Sequence, residues 1–269
     1  MIKLRSLALL AGVSLLGAAC GPESAPSEKE TMSWEEFQAN VYRDEGGVFI
    51  VNGDEPLESE ALLREYYEQY VAGEGTGSHA GALAVYYSGG KDIKWSATEA
   101  LNLTYCVSTK FGTNYTKVVD AMNKATAEWE ATAKVNFIHS SSQDSNCTNR
   151  NASVVFDVNP TSSTQYLARA FFPNSSRRSR NILISTSSFG NISPWSLTGV
   201  LRHELGHTLG FRHEHTRPEA GECYEDNAWR GLTPYDSSSV MHYPQCNGTQ
   251  SGDLVLTSSD KSGAKSLYP

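Results

Sequence analysis

Three absences bound this 269-residue chain. It has no surplus of positive charge: 22 Lys and Arg stand against 30 Asp and Glu, a net of -8 with neutral histidines. A chain of that balance does not seek nucleic acid or anionic lipid. It has no apolar run able to cross a bilayer as a stable helix, since the stretch Leu7 to Ala19 is only thirteen residues long. And none of its five cysteines forms a CxxC pair, which leaves a thiolate zinc site without support. What remains, 39% apolar residues over this length, suits one substantial globular domain plus an extra segment.

The thirteen-residue run has the setting of an export leader, with Lys3 and Arg5 before it and Cys20, Gly21 and Pro22 after it. The sequence "LLGAAC" resembles the bacterial lipobox, with Gly17 where Leu is usual. Residues 1–20 are therefore expected to be a lipoprotein-type signal with Cys20 as the lipid site. Cleavage near Ala19 without lipid is the plain secretory alternative. The chain is expected outside the cytoplasm either way, as a cell-envelope (outer-membrane) lipoprotein or as a secreted protein, touching membrane only through Cys20. Loss of residues 1–19 removes Lys3 and Arg5 and takes the net charge from -8 to -10. The other four cysteines allow three pairings in an oxidising compartment. Cys106–Cys147 and Cys223–Cys246 close the shorter loops and are the favoured pair.

Residues 21–32 are polar and proline-bearing, a linker by composition. A small unit follows at 33–82. Ser33 opens a short helix, "GGVFIVNGDEPL" (46–57) makes a hairpin about Asn52-Gly53, and Leu62, Leu63, Tyr66 and Tyr70 line one face of a helix after Ser59. Residues 72–82 are rich in glycine. From about 92 to the C-terminus at 269, strands at 101–108, 135–138, 153–158, 166–172 and 181–186 alternate with helical periodicity at Tyr115, Val118, Val119, Met122, Ala125 and Trp129. The Ser/Asn-rich segment 139–151 is expected to be an exposed loop. Ser193-Pro194 predicts the start of a helix that Gly210 ends.

That last helix leads into "HELGHTLGFRHEH", which holds four histidines and two glutamates in thirteen positions. His203 and His207, four apart, project from one side and can bind one ion. Gly210 lets the chain turn so that His213 returns as a third ligand. Three neutral imidazoles leave one open position on a tetrahedral zinc for water. Glu204, beside His203, is placed to take that water's proton during attack on a carbonyl.

HExxHxxGxxH with these offsets resembles the metzincin zinc metallopeptidases. "YDSSSVMHY" (235–243) is similar to the astacin Met-turn, and "GFRHEHTR" matches the astacin run at Gly210, Phe211, His213, Glu214 and Arg217. Glu219 stands where astacins have Asp, the next arginine is missing, and the gap from His213 to Met241 is only 28 residues. The short gap and "SVMHYPQC" look most like the bacterial dual-action HEIGH metallopeptidases, with Leu205 for Ile. The terminal "SSDKSGAKSLYP" is similar to the last matrixin helix.

The resemblance covers residues 92–269. It implies an α+β metzincin fold: an α/β-type N-terminal subdomain, a twisted five-stranded mixed sheet with two long helices, a zinc cleft, and a small C-terminal subdomain with Met-turn and final helix. It implies a metalloendopeptidase with one catalytic zinc on His203, His207 and His213, Glu204 as base, Tyr243 as the phenol that stabilises the oxyanion, and Met241 as the floor. Polypeptide is the expected substrate, laid along Ala168 to Phe171 of the edge strand, and the chain is expected to be a monomer. Glu214 would anchor the N-terminus of an activated form. "VNGD" (51–54) keeps the Gly-Asp of the astacin pro-segment motif, so Asp54 is the expected latency switch of a zymogen; a plain hairpin turn is the alternative. His215 is expected to face solvent, His242 to be structural, and the arginines of "SSRRSR" (175–180) to be solvated. A catalytically silent zinc-binding or adhesion module on the same scaffold is the competing function, and a non-peptidase hydrolase a second.

Overall fold

A computed structural model describes residues 32–72 and 82–269. The leader, Cys20, residues 21–31 and the stretch 73–81 lie outside the described residues. Residues 32 to 269 form one compact unit, so the N-terminal elements pack directly on the rest.

Those elements are α1 (Trp34–Asn40), a three-stranded antiparallel sheet of β1 (Tyr42–Arg43), β2 (Phe49–Val51) and β3 (Glu55–Leu57), and α2 (Glu60–Tyr66). Ser33 and Ser59 cap the two helices, each side-chain oxygen accepting a backbone N–H of the first turn. Phe49, Val51 and Leu63 make a small core with Trp34, Phe37, Val41, Leu57 and Tyr66 around it. Leu62 departs from the expected face and is 42% exposed, because a helix this short buries a single stripe. The turn between β2 and β3 puts Asn52 at φ 54° and Gly53 at φ 93°, the left-handed region that Asn and Gly tolerate.

The main sheet has five strands in the order β7 (Phe137–His139), β6 (Leu103–Val107), β8 (Phe156–Thr161), β10 (Asn181–Ser185) and β9 (Ala168–Arg169). All neighbours are parallel except β9, which runs antiparallel to β10 and forms one edge. Two helices, α4 (Tyr115–Glu130) and α5 (Leu197–Thr208), pack against each other, and Trp129 Nε1 of α4 donates to Arg202 O of α5 at 2.9 Å. Val118, Met122, Ala125 and Trp129 recur at three- and four-residue spacing and are all buried. A third sheet joins β4 (Ala82–Ser88) to β5 (Lys91–Asp92) and, from far along the chain, to β11 (Trp229–Thr233). β4 begins ten residues before the point at which the alternating pattern starts, at 92. Short α3 (Ala97–Ala100) and the terminal α6 (Ser258–Leu267) complete the unit, the latter closed by a Thr257–Asp260 capping box.

Two local expectations change. α5 starts at Leu197, not after Ser193: Ser196 caps it by accepting Gly199 N at 2.9 Å, while Pro194 packs so closely on Gly252 that a Cβ there would meet it at 2.9 Å. The segment 139–151 is not simply an exposed loop. Asp144 is buried in it, accepting from Val107 N (2.8 Å) and from Tyr115 Oη, and Cys147 is tied to Cys106. The second disulfide is Cys223–Cys246. Among the described residues no helix is long and apolar enough to cross a membrane.

Candidate metal centre and catalytic cleft

α5 carries His203, Glu204 and His207 into the interior, all of them 3% exposed or less. Gly210 then adopts φ 98°, and a Cβ on it would lie 2.1 Å from Ile93 O. Only glycine fits this turn. The chain leaving it zips onto β4, with Tyr86 N donating to Gly210 O and Arg212 N to Ala84 O, both at 2.7 Å. His213 is thereby brought back over the helix.

Each of the three rings has its Nδ1 engaged. His203 Nδ1 meets Val240 O at 2.8 Å, His207 Nδ1 meets Phe211 O at 2.8 Å, and His213 Nδ1 meets Glu225 Oε1 at 2.7 Å. With Nδ1 donating, Nε2 of each neutral ring presents a lone pair, the tautomer a metal ligand needs. The lone pairs converge: His203 Nε2 and His213 Nε2 are 3.3 Å apart, too close for two acceptors with nothing between them. Asp54 joins them, Oδ1 at 3.2 Å from His213 Nε2 and 3.5 Å from His207 Nε2, Oδ2 at 3.4 Å from His203 Nε2. His207 Nε2, Asp54 Oδ1 and Glu204 Oε2 are buried without a hydrogen-bond partner. Buried polar atoms orphaned around one point fit a cation held there, and three imidazoles with a carboxylate suit zinc.

The charges agree. Burial would lower His213, but Glu225 and Asp54 outweigh it and hold the ring well above its ordinary value, so a cation bound at Nε2 would take the place of a proton there. Burial pushes His207 down to about 4, so it is neutral at pH 7. Burial would raise Asp54, yet His213 and His207 keep it well below the usual carboxylate range. Glu204 is pushed well above that range, first by burial and then by the Asp54 charge.

The turn at 239–243 forms the floor. Asp260 of α6 accepts from Ser239 Oγ (2.6 Å) and Val240 N (2.9 Å). Met241 Sδ lies where a Cβ on Gly206 would come within 2.4 Å, so Gly206 is small because Met241 packs on α5 beneath the three histidines. The Tyr243 ring is 5.5 Å from the His203 ring and 4.5 Å from that of His213, and its hydroxyl donates to Asp54 Oδ2 at 2.6 Å. Beside Glu204 and His203 opens a cavity of about 260 Å³, walled largely by Tyr166, Leu167, Ala168, Trp195, Val200 and Leu254. Ala168 belongs to edge strand β9.

His215 does not face solvent. It is 1% exposed, stacks 4.6 Å from the His213 ring, donates through Nε2 to Glu225 Oε1 (3.1 Å), and accepts from Tyr243 N through Nδ1 (3.2 Å). Burial lowers it to about 4. It is a neutral brace between the carboxylate behind His213 and the backbone of Tyr243. His242 turns to Tyr235, whose hydroxyl lies 2.8 Å from Nε2. Glu214 is buried, Oε1 accepting from Asp236 N (3.0 Å) while Oε2 has no partner. Arg177 of the arginine-rich segment is not simply solvated either: it donates to Asp157 Oδ1, Asn151 O and Val154 O, each at 2.8 Å.

Sequence reasoning passed over Glu225, in "CYEDNAW", and Arg212. Arg212 lies between the Tyr86 and Phe172 rings, pairs with Asp226 at 2.6 Å, and holds Glu55, the neighbour of Asp54, at 2.6 Å. Glu225 carries no local signal and sits in a loop that only folding brings to His213, while Arg212 adjoins His213 but takes its partners, Glu55 and Asp226, from elsewhere in the chain.

The matrixin family model matches residues 94–220. High choriolytic enzyme 2 of Oryzias latipes is 36% identical over 63 residues, covering 17% of this chain and 22% of that protein. Human tolloid-like protein 1 is 29% identical over 177 residues, 57% of this chain and 16% of the other. The chain thus spans about a fifth of the length of these curated relatives. Among solved structures, that of myroilysin overlays with a TM-score of 0.47 at 18% identity, covering 69% of this chain and 98% of that one. The α+β fold, the histidine site, the family-model match and the curated relatives together support a metallopeptidase of metzincin type. Within that clan, its matched curated relatives are of the astacin kind.

Proposed function

We propose that the chain is an exported zinc endopeptidase held latent by its own N-terminal unit. The observation that carries this reading is the convergence of three buried Nε2 lone pairs, each ring fixed by a bond at Nδ1, beside the unpartnered carboxylate of Glu204. A zinc ion on His203, His207 and His213 would polarise a peptide carbonyl and make water acidic enough to lose its proton near neutral pH. Glu204 takes that proton and passes it to the leaving amine. Tyr243, freed from Asp54, turns its hydroxyl to the developing oxyanion. The substrate backbone adds to the free edge of β9 and one side chain enters the neighbouring cavity.

Asp54 supports latency: it sits among the ligand nitrogens, where water and carbonyl would have to enter, and it occupies the Tyr243 hydroxyl. Residues 33–82 then act as a pro-segment ahead of a catalytic domain running to 269, and cutting within 73–81 separates the two. The orphaned Glu214 Oε2 would receive the new N-terminus. The leader and Cys20 would deliver the chain to the envelope, as a monomer acting on polypeptides there. Zinc content and casein or gelatin cleavage, wild type against Glu204→Ala, test the function: zinc in both and cleavage only in wild type is expected. Equal hydrolysis, or none in either after activation, favours the silent zinc-binding module.

A further inference from the structure

Two buried arginines face the N-terminal unit, and they differ in what they keep when it leaves. Arg212 loses Glu55 but retains a two-pronged pair with Asp226, at 3.2 and 2.6 Å. Arg169 has Asp44 as its sole carboxylate within ion-pair distance among the described residues, with Nε at 2.8 Å and Nη2 at 2.6 Å from one oxygen. Its other partner is the neutral Asn181 Oδ1, at 2.9 Å. Both side chains of the Arg169–Asp44 pair are 2% exposed or less. Asp44 is held over the strand by its neighbours: Glu45 accepts from Thr161 Oγ1 and Ser162 N, and Tyr42 Oη donates to Ser163.

Departure of residues 42–45 therefore uncovers a guanidinium with no described carboxylate left in ion-pair contact, on the strand where a substrate would lie. Arg169 follows Ala168, which lines the cavity beside Glu204. A pocketed cation left unpaired is strongly unfavourable, and a carboxylate of matching fork geometry relieves it. We propose that Arg169 determines specificity by taking an acidic side chain of the substrate in the place Asp44 fills before activation. Successive residues of a strand point to opposite faces. The acidic residue thus lies an odd number of positions from the one whose side chain enters the Ala168 cavity. This rests on the pro-segment reading above.

The test uses the zinc-loaded full chain with a protease recognition sequence placed within residues 73–81, nicked there and not separated from its N-terminal piece. Peptides in which one Asp, or one Asn, is moved along a neutral sequence serve as probes. At one position kcat/KM for Asp should exceed that for Asn by about tenfold or more, the lower end of the coupling found for close charge pairs. Arg169→Gln should level the pair, and Arg169→Lys should keep part of the difference. The same peptides are then used to displace the labelled N-terminal piece from the nicked Glu204→Ala chain, which reads binding without hydrolysis. There, too, Asp should displace at about tenfold lower concentration than Asn. Asp and Asn performing alike at every position in wild type, or a preference that survives in Arg169→Gln, overturns the proposal. Hydrolysis without the preference sinks this inference and spares the peptidase; displacement with the preference but no hydrolysis does the reverse. The wild-type scan stands even if Arg169→Gln fails to fold.

Discussion

Replacing Asp54 by alanine isolates the proposed latency device. The carboxylate is 3% exposed, accepts a 2.6 Å hydrogen bond from Tyr243 and lies 3.2 to 3.5 Å from the Nε2 atoms of three histidines. A hydrogen bond to a charged group contributes about 1.5–3 kcal/mol, so its loss alone raises the undocked fraction of the N-terminal unit roughly 10- to 150-fold. Release of a metal contact adds to that. The unit will not leave entirely, because the buried pairs Glu55–Arg212 and Asp44–Arg169 remain. Uncut Asp54→Ala chain should therefore cleave a quenched fluorescent peptide one to two orders of magnitude faster than uncut wild type. Adding Glu55→Gln should raise the rate further. Mass spectrometry establishes that the chain is intact, and Asp54→Ala with Glu204→Ala should return to background. An intact Asp54→Ala chain with one zinc per molecule and no more activity than wild type would refute the reasoning.

Four further outcomes are expected. Glu225→Ala strips the acceptor from both His213 Nδ1 and His215 Nε2; zinc affinity should fall about 10- to 100-fold, the usual loss for such outer partners, as read by competition with a colorimetric chelator. Gly210→Ala sets a side chain 2.1 Å from Ile93 O at φ 98°; a loss of more than about 1 kcal/mol is expected, with sub-stoichiometric zinc by atomic emission and a lower melting temperature. Stripping the metal leaves His207 Nε2, Asp54 Oδ1 and Glu204 Oε2 buried without partners, and each kcal/mol lost should lower Tm by about 2–4 °C for a domain of this size; an unchanged calorimetric Tm after chelation would deny a metal at that point. Opening Cys106–Cys147, which joins residues 41 apart, should cost about 4 kcal/mol, and Cys223–Cys246, 23 apart, about 3.4; urea titration of the paired Cys→Ser variants reads both.

Much of the frame was legible in order. The five strands of the main sheet, α4 and the end of α5 at Gly210 follow from hydrophobic periodicity and one glycine, because these elements bury a face whose spacing is written locally. The misses share one cause. β4 is an apolar run in glycine-rich surroundings, and only its partner β11, some 140 residues away, makes it part of a sheet. Ser193-Pro194 has the letters of a helix start, but contact with Gly252 holds it outside the helix. His215 has no amphipathic context; it is buried because Glu225 and the Tyr243 backbone surround it.

In HELGHTLGFRHEH, spacing alone placed His203 and His207 on one side of a helix with Glu204 beside them and marked Gly210 as the turn that frees His213, since helix pitch and a glycine's φ are local properties. Which nitrogen of each ring is free, what lies beneath it, and what fills the fourth side were set by Val240 O, Phe211 O, Glu225, Met241 and Asp54. Of these, Asp54 stands nearly 150 residues before the ligands, and Glu225 sits in a loop without periodicity. Burial and charge at a point depend on everything packed around it, so only the tertiary structure could decide them.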